Sequence, residues 1–370
     1  MNFAFSDEQE EFRRQVRKWL EQNAPSAVVR ELMETESGFD RELWQETADL
    51  GWQGMAITEE HGGAGFGYLE LVVLFEEMGR SLFPAPFLST IGLAMPLISD
   101  LASDEQKKKM LRSIASGEKT VAVAFTEPSG HWDPGQVETS ASANGKDWII
   151  EGQKSFVIDG ASADDLLVSA RTDEGVGVFA VAGDGARVER RGLETLDQTR
   201  RLAEVSLSGA KGTLMGEPAG GVEALSRMLD KAVVLLAAEQ VGGAQKCLEM
   251  SVDYAKTRHQ FGRPIGSFQA IKHKCADMLV QVESAKSAAY YAGWAAAEDN
   301  DELPTVAPLA KSYCSEAYFF CASENIQIHG GIGFTWEHDA HLYFKRAKSS
   351  QLLFGDPAYH RARLGDLLGI

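Results

Sequence analysis

The run Arg258-His259-Gln260-Phe261-Gly262-Arg263-Pro264-Ile265-Gly266-Ser267-Phe268-Gln269 stands between two apolar helical stretches. Arg258 and Phe261 read as the end of one helix. Gly262, Pro264 and Gly266 break it, and Phe268-Gln269-Ala270-Ile271 opens the next. An arginine beside an aromatic ring at a helix break suits a ring cofactor that carries phosphate. The guanidinium binds phosphate in a forked geometry, and the ring packs on a purine. A tight helix–helix connection with a solvent-facing arginine accounts for the same residues, because connections of this length are ordinary.

The chain has 370 residues, 44% of them hydrophobic and 24% charged. That is the composition of a globular protein long enough for two or three cores. Its 36 Lys and Arg against 54 Asp and Glu leave a net charge of −18, which argues against nucleic acid or an anionic membrane as partner. Against that background, clustered Arg and Lys carry extra weight. Cys247, Cys275, Cys314 and Cys321 are scattered without a C-x-x-C pair, so neither a zinc site nor a disulfide framework is suggested. They read as small core residues. The N-terminus opens on an acidic amphipathic helix instead of a signal peptide, and no apolar run reaches membrane-spanning length. A cytoplasmic setting is the expectation.

Ser6-Asp7-Glu8-Gln9 reads as a capping box, after which Phe12, Val16 and Leu20 mark one buried helical stripe. Trp44 to Leu50 is a short helix stopped at Gly51. Glu59 to Gly67 is a glycine-rich loop with neither the preceding strand nor the Lys-Ser/Thr ending of a nucleotide P-loop. The next helix runs from about Tyr68 to Met78, with Gly79 as its expected C-cap, and helix continues to about Ser116. From Lys119 the texture turns to strand. Val121 to Phe125 is a short apolar run, Asn144-Gly145 signals a hairpin, and Leu166 to Val168 and Val178 to Val181 are further strands. From Val222 long apolar helices return. The expected fold class is a multidomain α+β protein, mainly α. It comprises an N-terminal helical domain (1–118), a small β domain (119–221) and a C-terminal four-helix bundle (222–370).

Two further motifs carry chemistry. Thr126-Glu127-Pro128 follows the first strand, where a hydroxyl can hydrogen-bond a polar ring edge or end the strand in a turn. Gln327-Ile328-His329-Gly330-Gly331-Ile332-Gly333-Phe334 ends a helix at paired glycines, where backbone amides can approach a pyrophosphate. His338 and His341 lie three apart beside Glu337, but two histidines without a complementary cluster do not make a metal site. None is expected.

The pattern Arg-x-x-Phe-Gly-x-x-Ile-x-x-Phe-Gln at 258–269 resembles the flavin-clamping signature of acyl-CoA dehydrogenases, and the resemblance covers the whole chain. It implies FAD as cofactor, an acyl-CoA thioester as substrate and an electron-transfer flavoprotein as acceptor. In the family Thr126 would lie against the flavin ring, and Phe156 matches an aromatic position that packs on that ring. Arg258, Phe261, Gln269, Gln327, Gly330 and Gly331 would reach the flavin of the neighbouring subunit, which implies oligomerisation.

Several positions depart from the family's pattern. The reaction removes the α proton of the thioester with a carboxylate while the β hydrogen leaves as hydride to flavin; such a base must work where water is excluded. One usual base position reads Phe354, in Leu353-Phe354-Gly355-Asp356, and the other reads Ala232. The stretch whose serine meets the pyrophosphate reads His131-Trp132-Asp133. A threonine near the flavin reads Ile158, and the threonine after the base glycine reads Asp356. These departures fall on the side that binds a subunit's own flavin, whereas the residues that reach across to a neighbour are intact.

The chain therefore resembles subunits of the bacterial heterotetrameric members, including those acting on steroid side-chain thioesters. It is expected to be one half of a heteromeric acyl-CoA dehydrogenase with a degenerate base site. A homotetrameric enzyme using Glu239 as base is the alternative. Glu239 lies in an apolar helix seven residues beyond Ala232, but a structural carboxylate paired to Arg or Lys from a neighbouring helix accounts for it as well. Asp230 is a weaker candidate near a helix start. A non-catalytic scaffold subunit, or a flavin oxidase or monooxygenase of the same fold, completes the alternatives.

Overall fold

The computed structural model describes residues 5–370. Helices α1 (Asp7–Asn23), α2 (Ser26–Met33), α3 (Arg41–Asp49), α4 (Tyr68–Ser81), α5 (Met95–Leu101) and α6 (Asp104–Ala115) come first, and a buried π-helical run, Leu88–Ala94, leads into α5. Strands β1 (Val121–Ala124), β2 (Ser140–Asn144), β3 (Asp147–Ile158), β4 (Asp165–Arg171), β5 (Val176–Ala182), β6 (Val188–Gly192) and β7 (Leu202–Met215) follow. Then come α7 (Gly221–Thr257), the short strands β8 (His259–Gln260) and β9 (Arg263–Pro264), α8 (Gln269–Ala297), α9 (Leu303–His329), α10 (Ala340–Leu352) and α11 (Pro357–Leu368). The mainly α plan with a central β region is the expected one.

The chain condenses into two compact units. One comprises the residues through Arg30, Tyr68–Phe83 and Val233–Ile370; the other comprises Glu31–Gly67 and Pro84–Ala232. In the first unit, Ser6 and Gln9 close the capping box in both directions, with Ser6 N donating to Gln9 Oε1 (2.9 Å) and Gln9 N to Ser6 Oγ (3.2 Å). Val16 and Leu20 are buried, and Arg13 joins them on that face, because its guanidinium meets Glu76 of α4 at 2.8 Å. Gly79 is not a C-cap, since α4 runs through it to Ser81. Its role is a close approach: a Cβ there would lie 2.0 Å from the Glu239 carbonyl oxygen of α7, and one on Gly242 would lie 1.8 Å from that of Glu76. The α4 and α7 backbones touch where side chains are missing on both helices.

In the second unit, β5 pairs with both β7 and β4, so the path β4-β2-β3-β7-β5 closes on itself, with β1 beside β4 and β6 beside β7. Ile150, Val157, Leu166, Phe179, Val181 and Val205 fill the interior. The expected hairpin joins β2 to β3, but Asn144 pairs with Asp147, so the two-residue turn is Gly145-Lys146, one place later than its sequence signal. No helix among the described residues is long and apolar enough to cross a membrane.

Candidate functional site

The first unit presents one exposed face built from two chain breaks. α7 ends at Thr257, and Arg258 N still donates to Tyr254 O at 2.8 Å. Phe261 does not end a helix, contrary to the expectation. It forms the tip of the β8–β9 hairpin with Gly262, both in the left-handed region (φ 55° and 76°). That pair of positive φ values is what a tight two-residue hairpin turn demands, and glycine supplies one of them without strain. Phe261 is 92% exposed, so nothing in its own unit covers it. Its ring meets Phe268 edge-on at 6.1 Å, while the Arg263 guanidinium lies 4.1 Å over the Phe268 ring.

The second break follows α9. His329 is buried, donates through Nδ1 to the Asn325 carbonyl (2.8 Å), and stacks on Tyr254 at 4.3 Å. That stack ties the end of α9 to the last turns of α7, so Gly330 and Gly331 lie near Arg258. Gly330 has φ 62°, and a Cβ on either glycine would meet nothing within 4 Å. Arg258, Gln269 and Gln327 are all exposed. Among the described residues none of these three side chains forms a hydrogen bond or ion pair with the protein. A guanidinium, two carboxamides, an uncovered phenyl ring and open glycine backbone are thus exposed around these two breaks, groups that can meet a phosphate and a flat ring.

Thr126 and Phe156 belong to the second unit. Thr126 is buried just past β1, and Ser155 N donates to its carbonyl at 2.9 Å. Phe156 sits where the β3–β7 register slips between Lys154 and Val157, with φ 56° and 45% of its surface exposed. Beside them lies a pair that sequence reasoning missed. Lys154 Nζ donates to Glu127 Oε1 at 2.7 Å and to Ser169 Oγ at 3.1 Å, and Glu127 also accepts from the amides of Glu138 (2.8 Å) and Thr139 (2.9 Å). Burial pushes against the Glu127 charge, but the bonds from Lys154 and from those amides outweigh it and bring the carboxyl down to about 2. Burial brings Lys154 down to about 8 despite its carboxylate partner. Trp132 packs its ring 6.2 Å from Phe125.

Neither position that the sequence reading matches to the base, Ala232 or Phe354, holds a carboxylate. Ala232 is wholly buried. Phe354 is buried with φ 60°, and its segment is fixed from two sides. Lys311, itself buried, donates to the carbonyls of Ser350 (3.0 Å), Gln351 (3.1 Å) and Gly355 (3.2 Å), capping the end of α10 with a positive charge. His360 Nε2 donates to the Phe354 carbonyl at 3.0 Å. Asp356 caps α11 by accepting from Tyr359 N at 2.8 Å. Glu239, buried on α7, meets Arg346 Nη1 of α10 at 3.1 Å, the arrangement of a structural carboxylate. His338 packs against His329 at 4.4 Å and His341 stacks on Trp336 at 4.7 Å; among the described residues no three metal-ligating side chains converge.

These groups predict acid lability. Burial, with the Lys311 charge nearby, lowers His360 to about 3 against its bond to Phe354 O. Below pH 6.5 the unfolded chain takes up a proton that folded His360 refuses. Below 4.5 it takes up another that folded Glu127 refuses. For these two groups the unfolded state binds more protons, so the stability they contribute falls as pH falls from about 6.5 towards 2. Urea midpoints measured from about pH 7 to 4 should drop steadily, and His360→Asn should flatten the upper part. A midpoint independent of pH across that window would refute the assignment.

The family descriptions of the acyl-CoA dehydrogenase N-terminal, middle and C-terminal domains match residues 6–118, 122–208 and 219–368. The chain is 36% identical over 368 residues to the acyl-CoA dehydrogenase IpdE2 of Mycolicibacterium smegmatis, covering 97% of this chain and 98% of that one. Among solved structures it resembles the ChsE4–ChsE5 complex of Mycobacterium tuberculosis, with a TM-score of 0.91 and 30% identity over 100% of this chain and 99% of that one. It also resembles a variant of the Tcur3481–Tcur3483 steroid ACAD, with a TM-score of 0.89 and 31% identity over 98% of each chain.

Proposed function

The chain belongs to the acyl-CoA dehydrogenase family of FAD-dependent oxidoreductases, and on that premise we propose that it is one of two unlike subunits of a heteromeric acyl-CoA dehydrogenase. The observation that carries this reading is the combination of a buried phenyl ring at the base position, Phe354, with an intact and uncovered clamp at Arg258, Phe261, Gln269, Gln327, Gly330 and Gly331. FAD, when bound, accepts the β hydrogen of the acyl thioester as hydride. This chain contributes the clamp to the partner subunit's flavin: Arg258 holds phosphate, Phe261 covers the purine, and the Gly330-Gly331 backbone admits the pyrophosphate. The partner subunit supplies the carboxylate that removes the α proton.

The relatives named for two-component and steroid enzymes support a bulky acyl-CoA as substrate, and an electron-transfer flavoprotein fits as acceptor. Residues 1–118, 119–221 and 222–370 act as the three functional segments of the subunit. A homo-oligomer with Glu239 as base has less support, because Arg346 already holds that carboxylate.

The test is flavin content and mass of the chain purified alone, by absorbance and light scattering. The expected result is a colourless or unstable chain that becomes yellow only when co-expressed with a second dehydrogenase-like chain. A yellow homotetramer with one flavin per chain would overturn the proposal.

A further inference from the structure

A cleft of about 430 Å³ lies in the helical unit, between the last turns of α7, the turn that follows β9 and the first turns of α8. None of the clamp side chains lines it. Its walls are apolar. Val252 and Ala255 of α7 are three residues apart, and Ile271 and Cys275 of α8 are four apart, so each pair shares one face of its helix. Gly266 closes one end at short range: a Cβ there would lie 2.9 Å from the Ala255 carbonyl oxygen, so the turn passes α7 where no side chain would fit.

The charges at this cleft are of one sign. Lys256 and Lys272 line it, and no carboxylate does. Both lysines are exposed, and among the described residues neither forms a hydrogen bond or ion pair with the protein. Asp253 and Asp277, their nearest acidic neighbours along the two helices, point elsewhere and are not part of the lining. The Ser267 hydroxyl donates to the Pro264 carbonyl at 2.7 Å, so its proton is already placed. In a chain of net charge −18, two unpaired ammonium groups at an apolar cleft without a carboxylate reverse the local charge. Small-molecule sites have this make-up, apolar walls with a few placed polar groups in roughly 300–1,000 Å³.

We propose that this cleft binds a small amphiphilic anion, an apolar body of medium-chain length with one anionic head of the carboxylate type. The body packs between Val252, Ala255, Ile271 and Cys275, and the head pairs with Lys256 and Lys272. A free nucleotide fits less well, because its sugar hydroxyls would be set against walls that offer them no hydrogen bond.

Cys275 reports occupancy, since the other three cysteines are buried. The experiment follows alkylation of the full-length chain by iodoacetamide, a neutral reagent, in the presence of octanoate, octanol or acetate. Cys275→Ser identifies the fast thiol. Octanoate should slow its alkylation saturably, and acetate, which has the charge without the body, should not. Lys256→Met/Lys272→Met should raise the half-protecting octanoate concentration about threefold to tenfold, the worth of two exposed charge contacts, and leave that of octanol where it was. Neither lysine bonds the fold, so the melting midpoint of this variant should not move. Added salt should weaken protection by octanoate and spare that by octanol. Octanol protecting the wild type as well as octanoate does would overturn the anionic class. Octanoate that gives no protection below its micelle-forming concentration would overturn the site. A Cys275 thiol that does not react in the assembled protein would show that a partner chain covers the cleft, and would overturn it as well. None of these results touches the heteromer proposal, which flavin content and mass decide.

Discussion

Arg346→Met is expected to destabilise the helical unit by about 3–5 kcal/mol, while Glu239→Gln/Arg346→Met recovers most of that loss. The reason is the asymmetry of buried charge. Breaking such a pair leaves the remaining ion desolvated and uncompensated, whereas replacing both partners by neutral groups of similar volume is often neutral. Glu239 and Arg346 meet at 3.1 Å with side-chain exposures of only 8% and 4%. The α7 backbone at Glu239 is also pressed against Gly79, so the helix cannot move aside to hydrate the carboxylate. Urea unfolding of the two single variants and the double variant gives the coupling energy directly. The same variants separate the two roles open to Glu239. A structural carboxylate predicts that Glu239→Gln lowers the urea midpoint and that the double variant restores it. A displaced base predicts that Glu239→Gln abolishes turnover of the flavin-loaded assembly while the midpoint stays put. That second outcome would revive the homo-oligomeric enzyme.

Local signals in the chain are legible. The Ser6–Gln9 box, the Val16 and Leu20 stripe, the change of texture near Lys119 and the glycine pair after His329 all depend on neighbours a few residues away. The hairpin signal at Asn144-Gly145 misses by one place, because strand pairing across β2 and β3 sets the register. Gly79 misleads because a glycine near an expected helix end has two uses, capping and close approach; only the partner backbone, Glu239 and its neighbours on α7, decides between them. Phe261 misleads for a related reason: a helix break and a hairpin tip share Gly and Pro, and only the pairing of Gln260 with Arg263 tells them apart.

The unread part of the site is made of long-range ion pairs and caps. Lys154 finds Glu127 across 27 residues, Lys311 reaches the Ser350 carbonyl at the end of α10 across 39, and Arg346 finds Glu239 across 107. Only Glu239 is marked in the sequence as a charge inside an apolar run, which says that a partner must exist without naming it; the others stand beside polar neighbours and give no sign of burial. Lys154, in Gly152-Gln153-Lys154-Ser155-Phe156, is the hardest to read, since burial along β3 does not alternate there: Glu151 to Gln153 are exposed and Lys154 and Ser155 are both buried.

Arg258→Met should cut flavin retention about tenfold to a hundredfold in the assembly purified by a tag on this chain, with the chain's own fold unchanged. A hydrogen bond to a charged group contributes about 1.5–3 kcal/mol, and each ~1.4 kcal/mol is a factor of ten in affinity. The side chain is exposed and makes no contact that the isolated fold depends on, so methionine, which keeps most of the apolar stem, should leave the melting midpoint of the unassembled chain where it was. Arg263→Met is the matched control. It removes an equal charge from the same hairpin, but Arg263 lies over the Phe268 ring, so its loss should loosen the hairpin without removing the phosphate ligand. Flavin retention is read by dialysis against flavin-free buffer, at low and at high salt. Since a phosphate contact is weakened by screening, the wild type should lose flavin faster at high salt, and Arg258→Met should lose most of that salt dependence. If the two variants retain flavin equally well, at the wild-type level, then the exposed arginine is a solvated turn residue. The clamp would then have to be sought among the Gly330-Gly331 amides and Gln327 alone.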